Sequence, residues 1–248
     1  MNTTKVFFGM DIPISDQLSI IQPTVNKIID IGEVQFSKYV LPFVMTLDFI
    51  FEESFDTSQL DMFELFFEKG EGESKALDGV FGKDSVEALL ESIVFFSNAT
   101  MDDIKVMKHR KRIIIKDYVL SKENFAEFRK VIQAICVKKD IEAERPPKNM
   151  SKRQADIWNK IQAGRKRKAL KESVKIEDMA NFICHCGQSY IDPLDVLKMK
   201  YYQFHNAYLS VVSMDSYHTM TAYKLSQKYD FKDDVPHWTK TMKLNIEL

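Results

Sequence analysis

The sequence predicts an α+β fold that is predominantly helical. We expect a mixed α/β N-terminal domain with a small hairpin over residues 1–144, a basic and partly helical linker over 145–175, and a three-helix C-terminal domain over 176–248. Three observations lead to this prediction. Aromatic residues make up 12% of the 248 residues and there are only 8 Gly and 7 Pro, which favours a folded chain with a sizeable core. Apolar residues recur at helical spacing in many segments, and the pair Pro146-Pro147 interrupts that pattern after the first region.

The first half of the N-terminal region is predicted to combine a short strand with amphipathic helices. Leu18–Gln22 has the composition of a strand, and a helix from Pro23 carries an apolar stripe that ends at Gly32. Leu60–Glu68 is a candidate for a short helix. Four clustered glycines predict a loop over Gly70–Gly82.

The second half of this region has clearer start signals. Asp84, with Glu87 three residues later, indicates the beginning of a helix. Ile104–Met107 and Arg112–Lys116 predict a hairpin around a basic turn. Ser121 is expected to cap a further helix with apolar residues on one face.

The linker and the C-terminal region are predicted to be helical. Ser151–Lys171 is helix-prone, but its apolar stripe is narrow and the basic run Arg165–Lys168 follows a glycine. One helix is expected over Ile176–Gly187. A second helix is expected to carry a seam of apolar residues at alternating spacings of three and four from Leu194 to Val211, and a third covers Ser216–Lys228.

The net charge of −1 conceals a strong segregation of charge along the chain. Residues 1–104 have a net charge of −13, residues 105–175 of +14 and residues 176–248 of −2. An acidic block beside a basic block can be self-complementary, either within one chain or between copies. The alternative is that both blocks are solvated surfaces that do not interact.

Composition and motifs argue against several functional classes. Three cysteines do not form a disulfide scaffold and favour a reducing compartment, and we predict neither a membrane span nor a signal peptide. In the triplet Cys184-His185-Cys186, a helix would point the two thiols about 200° apart, so we expect no metal there and Cys186 in the core. Because we find neither a phosphate loop nor an acid/base pair, we expect no cofactor and no enzymatic activity.

The candidate functional residues are partner-binding residues. They are the basic run of the linker, two residues beside the aromatic seam and one aromatic residue of the tail: Arg165, Lys166, Arg167, Lys168, Tyr202, His205 and Trp238. Basic clusters can also neutralise phosphates. Aromatic stacking residues are scarce between residues 105 and 175 and the sequence pI is about 6.5, so we prefer an acidic protein surface to nucleic acid as the partner.

A pattern of apolar and basic segments adds a family resemblance. It consists of Leu18–Gly32, Leu120–Ile132, Met150–Lys168 and Met199–Phe204, together with Tyr217 and Trp238. In this outline the chain resembles the tail assembly chaperones of long-tailed bacteriophages, or prophages, of Gram-positive hosts. The resemblance implies a non-enzymatic protein that binds the tape measure protein and tail tube subunits in the host bacterial cytoplasm and is absent from the mature virion.

Two other functions remain open at this point. One is a structural virion component, such as a head–tail connector or a tail completion protein. The other is a nucleic-acid-binding accessory protein that acts through the basic region 105–175. Self-association is compatible with all three.

Overall fold

A computed structural model describes residues 3–51, 57–68, 73–141, 150–172, 174–187, 189–226 and 235–238. These parts of the chain form twelve α-helices and two small antiparallel sheets. The predicted fold class, a predominantly helical α+β fold, is therefore confirmed.

The described elements are short in the first half of the chain and longer in the second. The helices are α1 Thr3–Phe7, α2 Val25–Ile31, α3 Glu33–Val44, α4 Leu47–Ile50, α5 Met62–Leu65, α6 Glu73–Phe81, α7 Ser85–Phe96, α8 Lys122–Ile135, α9 Lys152–Glu172, α10 Ile176–Cys186, α11 Pro193–Lys198 and α12 Tyr201–Leu225. The strands are β1 Ile12–Pro13, β2 Ser19–Ile20, β3 Ile104–Met107, β4 Arg112–Ile115 and β5 Tyr118–Leu120. None of the described helices is long and apolar enough to cross a membrane.

The start and end of α2 follow from two residues. The helix begins at Val25 and not at Pro23, because Thr24 is its N-cap and the Thr24 Oγ1 accepts a hydrogen bond from the Lys27 backbone N–H (3.2 Å). It ends at Gly32, as the sequence predicts, where φ is +82° and a side chain would be strained.

The core of the N-terminal part lies between α3, α7 and α8. The ring of Phe43 on α3 is fully buried and lies 6.0 Å from the rings of both Phe96 and Phe128. Aromatic pairs at these distances add to the free energy gained from burial alone. The three helices therefore form one aromatic-rich layer that supports the rest of the fold.

The predicted loop over Gly70–Gly82 is wrong for the residues that the structure describes. They form α6, and its Leu77 is fully buried, so packing outweighs the low helix propensity of glycine. Gly82, with φ at +68°, ends the helix. In the preceding segment, the helix expected over Leu60–Glu68 is reduced to the single turn of α5, whose N-cap is Asp61.

The start signals of the second half give the expected elements. α7 begins after Asp84, whose Oδ1 accepts from the Glu87 N–H (3.1 Å). The predicted hairpin forms with Ile104 opposite Ile115, and β5 adds a third strand that the sequence did not indicate. α8 begins after Ser121, whose backbone N–H donates to Asn124 Oδ1 (2.8 Å).

The predicted division of the C-terminal helices is wrong at two places, because the helix expected from Leu194 to Val211 is broken and the helix expected from Ser216 is not separate. The chain breaks its helical path at Met199 and Lys200, and α12 then continues without interruption from Tyr201 to Leu225. The break arises because the Met199 carbonyl accepts from the Val25 N–H and the Tyr201 N–H donates to the Pro23 carbonyl, both at 2.9 Å. Backbone groups near the break thus pair with the start of α2.

The C-terminal helices share their core with the N-terminal helices. Ile183 of α10 and Phe204 of α12 belong to the same cluster of buried apolar residues as Ile28 and Phe43. The prolines at 146 and 147 lie outside the described residues, and most of the predicted linker is the helix α9. α12 packs against α1, α8 and α10, and α11 packs against α2 and α10.

Candidate functional site

The helix α9 presents two different sides. Ala155, Trp158 and Gln162 are half-buried and lie on one side, at spacings of three and four residues. Ile157 and Ile161 are exposed and lie roughly 110° away around the helix. We call these two isoleucines, with Arg153 and Lys160 beside them, the α9 ridge.

The predicted basic run lies in the second half of α9. Arg165, Arg167 and Lys168 have exposed side chains, and Lys166 lies in the helix although its side chain is outside the description. Arg165 and Lys168 each interact with another group of the chain. Because successive residues of a helix are about 100° apart, the run distributes its positive charge around the helix.

The structure corrects the prediction for Tyr202. This residue is only 4% exposed and belongs to the core, so its ring is not offered to a partner. The reason is the break before Tyr201, which brings the first turn of α12 into the interior against the start of α2. Sequence spacing alone could not indicate this, because the contact depends on residues almost 180 positions earlier in the chain.

His205 lies half-buried in a pocket between α3, α10 and α12. The pocket has a volume of about 440 Å³, and its charged lining residues among those described are Glu33, Lys138 and Lys139. The Nδ1 atom of His205 is buried without a hydrogen-bond partner in the described structure. Burial, assisted by the charge of Lys138, lowers the pKa of His205, so the neutral imidazole is favoured at pH 7.

The neighbour of His205 in this pocket is Tyr201. Burial, with smaller contributions from Cys136 and Glu33, raises the pKa of Tyr201 to about 12, so its phenol is also neutral. The two rings lie 6.2 Å apart. The pocket lining thus includes two polar aromatic groups that are uncharged at pH 7.

The triplet Cys184-His185-Cys186 has the reverse of the expected orientation. Cys184 is buried and Cys186 is exposed, because Cys184 continues the apolar face of α10 that contains Ile176 and Ile183. Within the described part of the chain, no group of three or more metal-ligating side chains comes together. Of the triplet, Cys184 packs in the core, and His185 and Cys186 are exposed.

The outer half of α12 carries an apolar stripe that the sequence analysis missed. Leu209, Val212, Ser216, Met220 and Tyr223 lie within an arc of about 80°. Leu209, Met220 and Tyr223 are among the exposed large apolar residues. We call this surface the α12 stripe. The signal was present in the sequence, but the assumed end of the seam at residue 211 and the separate third helix concealed it.

Trp238 approaches the same helix. Its indole lies 5.6 Å from the ring of His237, which in turn lies 5.0 Å from the ring of Tyr217 on α12. Trp238 is half-buried. Its ring contact with α12 thus runs through His237 to Tyr217, which lies beside the α12 stripe and not on it.

An open apolar groove of about 480 Å³ lies between α2, α10 and α11. Leu194 was predicted to begin the buried seam, but it is 66% exposed and stands with Ile29 at this groove. Two carboxylates, Glu33 and Glu177, are the charged groups among its described lining residues. We call this surface the α11 groove, and its lining consists of Val25, Ile29, Gly32, Glu33, Ile176, Glu177, Ala180, Pro193, Leu194, Val196 and Leu197.

The basic turn of the hairpin is partly neutralised within the chain. The Lys111 ammonium pairs with Glu64 at 3.0 Å and with Glu68 at 2.9 Å, and these carboxylates raise the pKa of Lys111. Lys122 also pairs with Glu64. The acidic turn of α5 therefore reduces the positive potential that a nucleic acid would meet at this end of the hairpin.

Comparison with known proteins shows a similarity in the C-terminal region. Residues 166–243 match the family model of the YomV second domain, a family associated with Bacillus prophages. The matched segment is under a third of the chain and contains the end of α9, all of α10 to α12, and Trp238. No curated protein and no solved structure matches the chain. The similarity supports a phage protein.

Proposed function

We propose that this protein is a non-enzymatic phage tail assembly chaperone that binds the tape measure protein and recruits tail tube subunits. It acts in the host bacterial cytoplasm and leaves the particle before the virion is complete. The similarity of residues 166–243 to a phage-associated domain supports the phage setting. The resemblance of the sequence pattern to tail assembly chaperones supports the assembly role.

The α12 stripe is the observation that carries this proposal. It is a row of apolar side chains, exposed at Leu209, Met220 and Tyr223, on the outer half of a 25-residue helix. Apolar rows of this kind bind the apolar face of a partner helix, since pairing removes both faces from water. The inner half of α12 is fixed in the core through Phe204, so the stripe is held on a rigid support. A long helical client with a repeating apolar face would suit it.

The basic side of α9 supports the recruitment of a second, acidic partner. Arg165, Arg167 and Lys168 are exposed in the second half of this helix, outside the α9 ridge. Exposed charges of one sign increase the association rate with an oppositely charged surface more than they increase affinity. In this proposal α12 holds the client, and α9 attracts tail tube subunits.

Co-expression with the tape measure protein encoded in the same genome tests the proposal. We expect a soluble complex with many copies per client in size-exclusion chromatography with light scattering. Met220→Asp places a carboxylate in the stripe and should weaken the complex by about tenfold or more. Met101→Asp is the matched control, since it makes the same change at an exposed methionine outside α12. An insoluble client beside a freely eluting chaperone would contradict the proposal.

Nucleic-acid binding is a second candidate that one observation favours. Lys108, Arg110 and Arg112 are exposed around the hairpin turn, although Lys111 between them is paired with Glu64 and Glu68. Binding of DNA that falls steeply with salt concentration would support this candidate. Recovery of the protein in purified particles would instead support a structural virion component.

A further inference from the structure

We propose that the α9 ridge of one copy docks into the α11 groove of a second copy. This inference goes beyond the proposed function, because it concerns the contact of the protein with itself and needs no client. Both surfaces are present in each chain, one as an exposed pair of isoleucines and the other as an open apolar groove.

The ridge and the groove both consist mainly of aliphatic side chains. The α9 ridge presents Ile157 and Ile161, which are one helical turn apart and therefore neighbours on the helix surface. The α11 groove is lined mainly by aliphatic side chains, and Ile29 and Leu194 stand exposed at it. An aliphatic pair on a helix that enters an aliphatic groove removes both surfaces from water.

The ridge and the groove carry opposite charges. Arg153 and Lys160 lie beside the isoleucines of the ridge, whereas Glu33 and Glu177 line the groove. Glu177 has a weak, exposed contact with Lys175 at 3.7 Å, which leaves its carboxylate open to a closer partner. The positive ridge and the negative groove are therefore complementary, in agreement with the segregation of charge along the sequence.

The orientation of α9 makes the ridge available to a second copy. The half-buried side of α9, which contains Trp158 and Gln162, already faces its own chain. The ridge lies roughly 110° away from that side and points outward. Within one chain the isoleucines of the ridge are exposed and are not among the described residues that line the groove.

The contact is heterologous, since two different surfaces meet. After two copies pair, one copy has a free groove and the other has a free ridge. Further copies can therefore be added at both ends, unless the assembly closes into a ring. A series of copies arranged in this way would suit a rod-like client, but the association itself is a property of the protein alone.

Light scattering of the full-length protein, without any client, tests the inference. The mass of the wild type should exceed that of a monomer and rise with concentration at low salt. The groove variant Leu194→Asp and the ridge double variant Ile157→Asp/Ile161→Asp should each associate at least about tenfold more weakly. Leu194 lies in the first turn of α11, where an aspartate is favourable, so the fold should be kept.

Mixing the two variants provides the decisive step. The groove variant has an intact ridge and the ridge variant has an intact groove, so an equimolar mixture should form a dimer that cannot extend further. Met101→Asp should associate like the wild type, and circular dichroism should show native helix content for every variant. A monomeric wild type, variants that associate normally, or a mixture that stays monomeric would each overturn the inference. None of these results depends on the client, so the proposed function is tested separately.

Discussion

Replacing Phe204 with alanine should destabilise the whole protein and not only its C-terminal helices. Phe204 is fully buried and belongs to the cluster that also contains Ile28 and Phe43. Burial of a phenylalanine removes roughly 150 Å² from water, which at about 25 cal/mol per Å² is worth about 4 kcal/mol. Large-to-small changes of this kind cost about 3–5 kcal/mol in other cores, because a cavity remains.

The assay is thermal unfolding followed by circular dichroism. For a domain of this size, a loss of about 4 kcal/mol corresponds to a decrease in Tm of roughly 8–16 °C. Leu209→Ala on the same helix is the matched control, since Leu209 is exposed and its loss should change the free energy of unfolding by less than about 1 kcal/mol. Two separate transitions, of which only one moves in the Phe204→Ala variant, would refute the reasoning. They would instead show that residues 176–248 fold as the independent domain that the sequence predicts.

Three further predictions concern single positions. Gly32→Ala should lower the free energy of unfolding by about 1–3 kcal/mol, because φ is +82° at this position. Gly164→Ala, in the middle of α9, should leave the free energy of unfolding unchanged or raise it by up to about 1 kcal/mol. Chemical denaturation measures both changes, and equal effects of the two variants would contradict the role given to the backbone angle at Gly32. Because the pKa of His205 is lowered in the folded protein, the unfolded state binds the proton at a higher pH, and the free energy of unfolding should fall as the pH decreases through 6.5 and below. Urea unfolding of the wild type and of His205→Gln at several pH values measures this effect. An unchanged pH dependence in the variant would contradict it. In the native protein a thiol reagent should label the exposed Cys186 quickly and the buried Cys136 and Cys184 slowly, because burial shields both thiols and raises their pKa. Fast labelling of all three cysteines would contradict this prediction.

The sequence was a good guide where local chemistry determines the structure. The caps at Asp84 and Ser121 mark the starts of α7 and α8, and the apolar runs on either side of the basic turn predict the hairpin of β3 and β4. These signals act over a few residues, so no knowledge of the rest of the fold is needed. The stop of α2 at Gly32 belongs to the same class.

The errors arose where distant residues decide the outcome. The helical spacing from Leu194 onward was real, but backbone hydrogen bonds to Pro23 and Val25 break the helix before Tyr201. That break exposes Leu194 and buries Tyr202, which reverses the expected roles of both residues. Tertiary contacts outweighed a local periodicity in this segment, and only the three-dimensional arrangement revealed the α12 stripe and the α11 groove.

Site-specific photo-crosslinking tests whether the α12 stripe contacts the tape measure protein, as we propose. A photoreactive amino acid is introduced at Met220, or at Met101 as the control, and the protein is co-expressed with the tape measure protein. Both methionines are exposed, and only Met220 lies on the stripe. We predict a crosslink to the tape measure protein from position 220 and none from position 101. Equal crosslinking from both positions, or none from position 220 in a soluble complex, would show that the α12 stripe is not the surface that binds the tape measure protein.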